Sequence, residues 1–324
     1  MVVAFISWAF GKFALALPGF NPATTVAPQG RYAHHIVNRT GGTVPVHLAE
    51  LALSVARCPE VPLAASDSAH PCHKVVHSQD QYEGPFQVPE AWAGKLETAK
   101  VVFLSSNPAI SAGVPDARAS YKRQAEMYPT ADWDDAHIAD FMLNRFDSER
   151  GWVNERLQHL KVDGESRGAV EKYWTWVKQQ TEALVGTGRP WYENVAMTEV
   201  VHCKSGSEEG VKEAADRCSS MHMNRVLAGS PANLVIVVGT QARDRFLRAY
   251  PEVAEQYPSF GRDNKLTGRV DPRQSIIEMH LGGWPRTVCF LWHNSAYAPK
   301  IKDLASMYPD DFPRLQAAAL AGAA

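Results

Sequence analysis

Four short stretches of the chain are almost wholly apolar: Val101-Val102-Phe103-Leu104, Val195-Ala196-Met197 extending to Val200-Val201, Leu234-Val235-Ile236-Val237-Val238, and Val288 to Trp292. Unbroken β-branched runs without alternation are the pattern of strands buried on both faces, as in a parallel sheet between layers of helix. Between them the apolar positions recur with helical spacing, over Asp135–Phe146, Ala169–Leu184, Glu208–Leu227 and Ala242–Ala249. A further helix is predicted over His47–Ala56, where Leu48, Leu51, Ala52 and Val55 fall at i, i+3, i+4 and i+7. Residues 19–45 are rich in Pro, Gly and Thr and read as irregular; residues 59–90 hold five prolines and are expected to be mostly loop. Alternating strands and helices predict an α/β protein. The expected form is a three-layer α/β/α sandwich around a four-stranded parallel sheet, with strands at about 100–105, 195–201, 233–239 and 286–292. Residues 1–45 form an N-terminal arm in this reading. Residues 46–324 form one domain with a helical insertion around 128–190, whose Trp133, Phe141, Tyr173, Trp174 and Trp176 are expected in the core.

The polar residues cluster where these strands end: Ser105-Ser106-Asn107-Pro108, Gly239-Thr240 and His293-Asn294-Ser295. The carboxyl ends of parallel strands are where open α/β sheets bind ligands. No G-x-G-x-x-G or phosphate loop follows any strand, which argues against a nucleotide-binding enzyme.

Composition narrows the classes. Across 324 residues, 45% are hydrophobic and 21% charged, which excludes global disorder. Lys plus Arg number 33 against 35 for Asp plus Glu, a net charge of -2 that excludes a sequence-independent nucleic-acid coat but leaves a local DNA groove open. No stretch reaches the roughly 20 apolar residues of a membrane span. Met1 to Leu17 is apolar apart from Ser7 and Lys12; a secretory signal would carry its charge ahead of the apolar run, so a cytoplasmic location is expected. The five cysteines are odd in number and widely spaced, against a disulfide framework. Cys289 lies in an apolar run and reads as core. Cys58 with Cys72, and Cys203 with Cys218, form pairs 14 and 15 residues apart that suit a reducing compartment and a metal centre better than bridges.

Four segments occur in order: Phe103-Leu104-Ser105-Ser106-Asn107-Pro108-Ala109, Thr198-Glu199-Val200-Val201-His202-Cys203, Val237-Val238-Gly239-Thr240-Gln241-Ala242 and Trp292-His293-Asn294-Ser295-Ala296-Tyr297. Their order resembles that of the uracil-DNA glycosylase superfamily, especially its iron–sulfur members, over about residues 100–302 together with the upstream cysteines. The resemblance implies a monofunctional DNA glycosylase that flips a nucleotide and hydrolyses its N-glycosidic bond to leave an abasic site. Asn107 then positions the attacking water beneath a sugar that gains oxocarbenium character. His293 stabilises the charge gathering on the departing base. Ser295 contacts a DNA phosphate, with Asn294, in place of the family's proline, and Lys300 on the same DNA-facing loop; Tyr297 stands where the family places a wedge residue. The base-binding set is Ser106, Ala109, Tyr121 and Glu199. Read as residues alone, Asn107 is equally an Asn-Pro turn and His293 a polar strand cap.

The four paired cysteines imply a [4Fe–4S] cluster, although the family's first pair is usually Cys-x-x-Cys. Zinc with help from His73, or four unrelated buried thiols, are the alternatives. Glu199 stands where uracil-specific members carry an Asn. A carboxylate accepts from the amino group of cytosine and, if protonated by burial, also donates to cytosine N3; an ionised one is expected to disfavour uracil, so that Glu199→Gln gains activity on uracil. Ala109 stands where several uracil enzymes place a bulky Tyr, leaving room for a C5 substituent. Together these features resemble phage-restricting glycosylases that remove glucosylated hydroxymethylcytosine. Uracil excision in base repair is the alternative within the enzyme class, and a non-catalytic DNA-binding iron–sulfur protein is the alternative outside it. DNA is the implied partner, and nothing in the sequence calls for a membrane or an obligate protein partner.

Overall fold

The computed structural model describes residues 46–82, 84–110, 127–146, 152–153, 157–160, 166–169, 172–258, 260, 263–264, 269–270, 275–291 and 303–321. The N-terminal arm lies outside the described residues. The first helices are α1 (Val46–Ala56), α2 (Glu60–Ser66) and α3 (His73–His77). The last two are short helices within the stretch 59–90, which is otherwise mostly loop, as expected. Then come β1 (Ala93–Gly94), β2 (Val101–Ser105), α4 (Asp135–Asn144), a ribbon of β3 (Gln158–Leu160) and β4 (Ser166–Ala169), α5 (Lys172–Val185) and β5 (Val195–Glu199). After them the helix expected over Glu208–Leu227 is broken into α6 (Val211–Cys218), a π-turn over Ser219–Met223 and α7 (Asn224–Ala228). The chain continues through β6 (Leu234–Val238), α8 (Thr240–Ala249), α9 (Pro251–Gln256), the short ribbon β7 (Asp263–Asn264) and β8 (Arg269–Val270), β9 (Ile276–Leu281), β10 (Trp284–Leu291), α10 (Leu304–Met307) and α11 (Phe312–Ala321).

The class is α/β, and the sheet corrects the expected one: it has six strands and is mixed, in the order β1-β5-β2-β6-β10-β9. The four anticipated strands are its parallel centre, with Val102 opposite Ala196 and Val235, and Cys289 opposite Ile236. The two additional strands are antiparallel edges. β1 is only two residues long, too short for any periodicity. β9 joins β10 through Gly282-Gly283, both at positive φ (62° and 84°), the backbone of a tight primed hairpin turn. Side chains on the central strands alternate between two cores. Val102, Leu104, Ala196, Val235, Val237, Val288 and Phe290 pack with α1, α4, α6, α7 and α8. Val101, Phe103, Val195, Met197, Leu234, Ile236, Cys289 and Leu291 pack with α5 and α11. Apolar cover on both faces is the reason these strands read as continuous apolar runs. β2 and β6 are neighbours whose connections lead toward opposite edges of the sheet, β2 to β5 and β6 to the β9–β10 hairpin, the topology at whose carboxyl strand ends open α/β sheets bind ligands.

Candidate functional site

Beyond the sheet, the chain leaving β2 runs alongside the chain leaving β5. Val200 and Val201 donate their N–H groups to Ser105 and Ser106 (3.0 Å each), and Ile110 donates to the Ser205 carbonyl (3.0 Å). Ala109 bridges Ser205 in parallel register. One segment, 199–205, therefore supports the whole loop from Ser105 to Ile110.

Asn107 is half-buried in this loop, with its side-chain amide fixed. Nδ2 donates to the Pro108 carbonyl (2.9 Å), the Ser205 hydroxyl (3.0 Å) and the Cys203 carbonyl (3.5 Å). Two of these partners are carbonyls, which only accept, so the amide nitrogen must face them. Oδ1 makes no hydrogen bond with any described residue and is the atom left to accept one. Asn107 is thus set up as an acceptor.

Glu199 ends β5, directly opposite Ser105 in register. It is 2% exposed, and its Oε2 has no hydrogen-bond partner among the described residues. Three other buried charges surround it. Arg145 donates to Glu90 (2.9 Å) and to the Tyr128 hydroxyl (2.8 Å), while the Lys204 ammonium stands 2.5 Å from the other Glu90 oxygen and 3.3 Å from the centre of the Tyr128 ring. Burial acts to raise the Glu90 pKa, but Lys204 and Arg145 outweigh it and hold the carboxylate below its ordinary value. Glu199 behaves oppositely. Burial, reinforced by the Glu90 charge, pushes it well above the usual carboxylate range, and Arg145 and Lys204 offset this only in part. Burial thus favours the protonated form of the Glu199 carboxyl, which presents one O–H donor with one carbonyl acceptor. Of the two forms the sequence leaves open, this is the one the surroundings favour, since Glu90 already engages the nearby cations.

Tyr173, at the start of α5, shares a 3.0 Å hydrogen bond with Ser105 through its hydroxyl. Its ring lies against Trp176, which in turn packs edge-on against Phe103. Phe141, Trp174 and Trp176 are core residues, as expected, whereas Trp133 is partly buried and Tyr173 reaches the strand-end site.

The four paired cysteines converge. Cys58, Cys72, Cys203 and Cys218, all buried and without disulfides, line one recess of about 300 Å³, open solvent at its mouth included, together with Val75, Val201 and Met221. The close approach of α3 and α6 needs Gly210 ahead of α6: its φ is +72°, and a Cβ there would lie 2.2 Å from the Val75 nitrogen. Glu60 lies at the recess and accepts both a double bond from Arg217 (2.7 and 2.9 Å) and one from His70 (3.0 Å). The backbone N–H of His202 points at the Cys218 sulfur (3.4 Å), and Nε2 of His222, in the π-turn, lies 3.3 Å from the Cys58 sulfur. Burial first, and then the other thiols, push Cys72 up to about 11 and Cys203 well above its ordinary value; burial also pushes Cys218 up to about 12. Among the described residues no three His, Cys, Asp or Glu side chains are grouped so as to hold one metal ion. His73 is turned away, its Nδ1 on the Ala64 carbonyl (2.8 Å).

Of the other anticipated residues, Ala109 is exposed on the loop, and Ser106 is half-buried with its hydroxyl unpaired among the described residues. Tyr121, His293, Asn294, Ser295, Tyr297 and Lys300 lie outside the described residues. Sequence reasoning missed Glu90, Arg145, Lys204, Ser205 and Tyr173. Only Lys204 carried a signal, as a charge directly after an apolar segment ending in a cysteine. No protein-family model and no curated protein sequence matches the chain. No helix among the described residues is long and apolar enough to cross a membrane.

Proposed function

We propose that the protein is a monofunctional DNA glycosylase built on a uracil-DNA-glycosylase-like three-layer α/β/α domain. The observation that carries this reading is the pairing of two groups at adjacent strand ends. One is an Asn held so that only its oxygen is left to accept; the other is the buried Glu199 carboxyl, its pKa raised by burial, with an oxygen unpartnered among the described residues. The first suits a water poised for attack on an anomeric carbon, where a flipped nucleotide develops oxocarbenium character. The second suits the hydrogen-bonding edge of a base, and a dry pocket with an unmatched polar atom selects strongly for a ligand that matches it. His293 is the proposed stabiliser of the departing base. Ser295, Asn294, Tyr297 and Lys300 are the proposed DNA contacts. Tyr121, Ser106 and Ala109 complete the base pocket, with Ala109 leaving space at C5.

The cysteine recess supports a [4Fe–4S] cluster better than zinc. One zinc ion draws four sulfurs to about 2.3 Å from a single point, whereas these four thiols line a recess in which no three are grouped for a single ion among the described residues. Cys58, Cys72, Cys203 and Cys218 would hold the cluster, which when bound supplies a rigid cross-link between α2, α3, α6 and the 199–205 segment.

A cytosine bearing a large C5 group is the favoured substrate, since Ala109 leaves that side open and Glu199 can accept from the amino group while donating to N3. Uracil is the second reading, and the raised pKa of Glu199 is the observation that favours it. With its proton on the other oxygen, the same carboxyl donates to O4 and accepts from N3–H. The deciding experiment incubates the protein with duplexes carrying uracil, cytosine, hydroxymethylcytosine or its glucoside and scores abasic sites. Release of a modified cytosine supports the first reading, and release of uracil alone the second. Binding to abasic DNA with no release from any duplex points to a non-catalytic DNA-binding protein.

A further inference from the structure

We propose that Ser205 is a positioning residue for the reaction. It would orient the Asn107 amide and tie it to the segment that carries Cys203. This inference rests on the glycosylase reading of Asn107, and it concerns a residue with no counterpart among the recognised motifs.

Ser205 is 1% exposed, two residues after Cys203, and lies on the segment that supports the Asn107 loop. Its three polar groups all engage that loop. The N–H donates to the Pro108 carbonyl (3.3 Å), the carbonyl accepts from Ile110 (3.0 Å), and the hydroxyl oxygen accepts from Asn107 Nδ2 (3.0 Å). Of the three acceptors around Nδ2, the Pro108 carbonyl belongs to the loop itself and moves with it. The Cys203 carbonyl is at the long limit, 3.5 Å. The Ser205 hydroxyl is therefore the short contact that fixes the amide relative to the rest of the protein. Without it the amide is free to swing or turn over, and Oδ1 no longer points consistently at the water it must orient. Transition-state stabilisation of this kind depends on groups already in place before reaction. The same segment carries the Cys203 thiol on the recess side, so the recess and the Asn107 loop share one support.

The test is a double-mutant cycle on the duplex that the wild type cleaves, read together with exchange of the Asn107 side-chain amide protons by NMR. Ser205→Ala removes the acceptor at constant backbone and is expected to lower kcat roughly three- to tenfold, the worth of one neutral hydrogen bond, with KM and iron content unchanged. Ser205→Cys, similar in size with a weaker acceptor, falls between. In an Asn107→Ala background, Ser205→Ala causes no further loss, because its effect passes through Asn107. The Asn107 amide protons exchange faster in Ser205→Ala than in wild type. Additive losses, a rise in KM in place of the fall in kcat, or unchanged amide exchange would each overturn the inference. If wild-type protein releases no base from any duplex while the exchange difference is present, the glycosylase reading fails and the catalytic role of Ser205 falls with it, leaving only a structural anchor.

Discussion

Two buried polar regions lie on either side of the segment 199–205, and they handle the cost of burial in opposite ways. On the strand-end side the buried groups are of unlike sign: Glu90 lies between Lys204 and Arg145 and pairs with both, one carboxylate against two cations. Glu199 stands beside them, its pKa pushed well above the usual carboxylate range by burial. On the recess side the four thiols are groups of one kind, with the Glu60–Arg217 pair beside them. Each thiol raises the cost of ionising the next, and the protein groups that approach sulfur are the His202 amide, the His222 ring and the backbone amides of Glu60 and Val61. A network of unlike charges offsets much of its burial cost from within. A nest of like groups that can all become anionic needs a multiply charged cation before they ionise, and that contrast separates the polar frame of the site from the proposed cofactor centre.

The sharpest way to break the comparison is to remove one recess sulfur. Cys203→Ala should abolish iron binding and visible absorbance, whereas Cys289→Ala, in the sheet core and away from the recess, should leave both unchanged; metal analysis and a visible spectrum decide it. Next in size is the strand-end network. Glu90→Leu leaves Arg145 and Lys204 buried without their partner, and denaturant unfolding should show a loss of about 3–5 kcal/mol. Asn107→Ala should lower kcat by about 10²–10³ with DNA affinity retained, the usual cost of one preorganised group. Asn107→Asp should not recover the activity, since a carboxylate there would face the Pro108 and Cys203 carbonyls with no donor to offer; single-turnover kinetics on both variants tests this. The smallest effect belongs to Glu199→Gln. In the folded protein Glu199 keeps its proton above the ordinary value of 4.5, while the unfolded chain releases it there, so wild-type stability falls as pH rises from about 4.5 through the folded pKa. The Gln variant lacks that loss. It should melt a few degrees higher than wild type at about pH 8 and match it at about pH 4. Because Gln imitates the neutral carboxyl, base preference should change little. A large gain on uracil would show that Glu199 is ionised in the working enzyme.

Much of the architecture follows from local pattern. The four parallel strands are apolar on both faces because both faces are covered, and that requirement is written residue by residue in Val101–Leu104 and Leu234–Val238. The edge strands were harder to see. β1 has no periodicity to detect, although Gly282-Gly283 does mark the β9–β10 hairpin for a reader looking for primed turns. The π-turn after Cys218 interrupts an otherwise helical sequence, and nothing in its apolar spacing announces it.

The site divides along the same line. Residue types and strand ends are legible from the chain alone: an Asn after β2, a Glu at the end of β5, and cysteines too widely spaced for a disulfide framework. Those properties depend on neighbours a few positions away. It takes the folded chain to bring Cys58 and Cys218 to one recess, to tie down the Asn107 amide nitrogen, and to push the Glu199 pKa up while that of Glu90 goes down. Protonation and orientation in a buried site are set by which distant charges and carbonyls arrive within a few ångströms. Electrostatic energy in a dry interior varies steeply over that distance, and one-dimensional spacing carries no record of it.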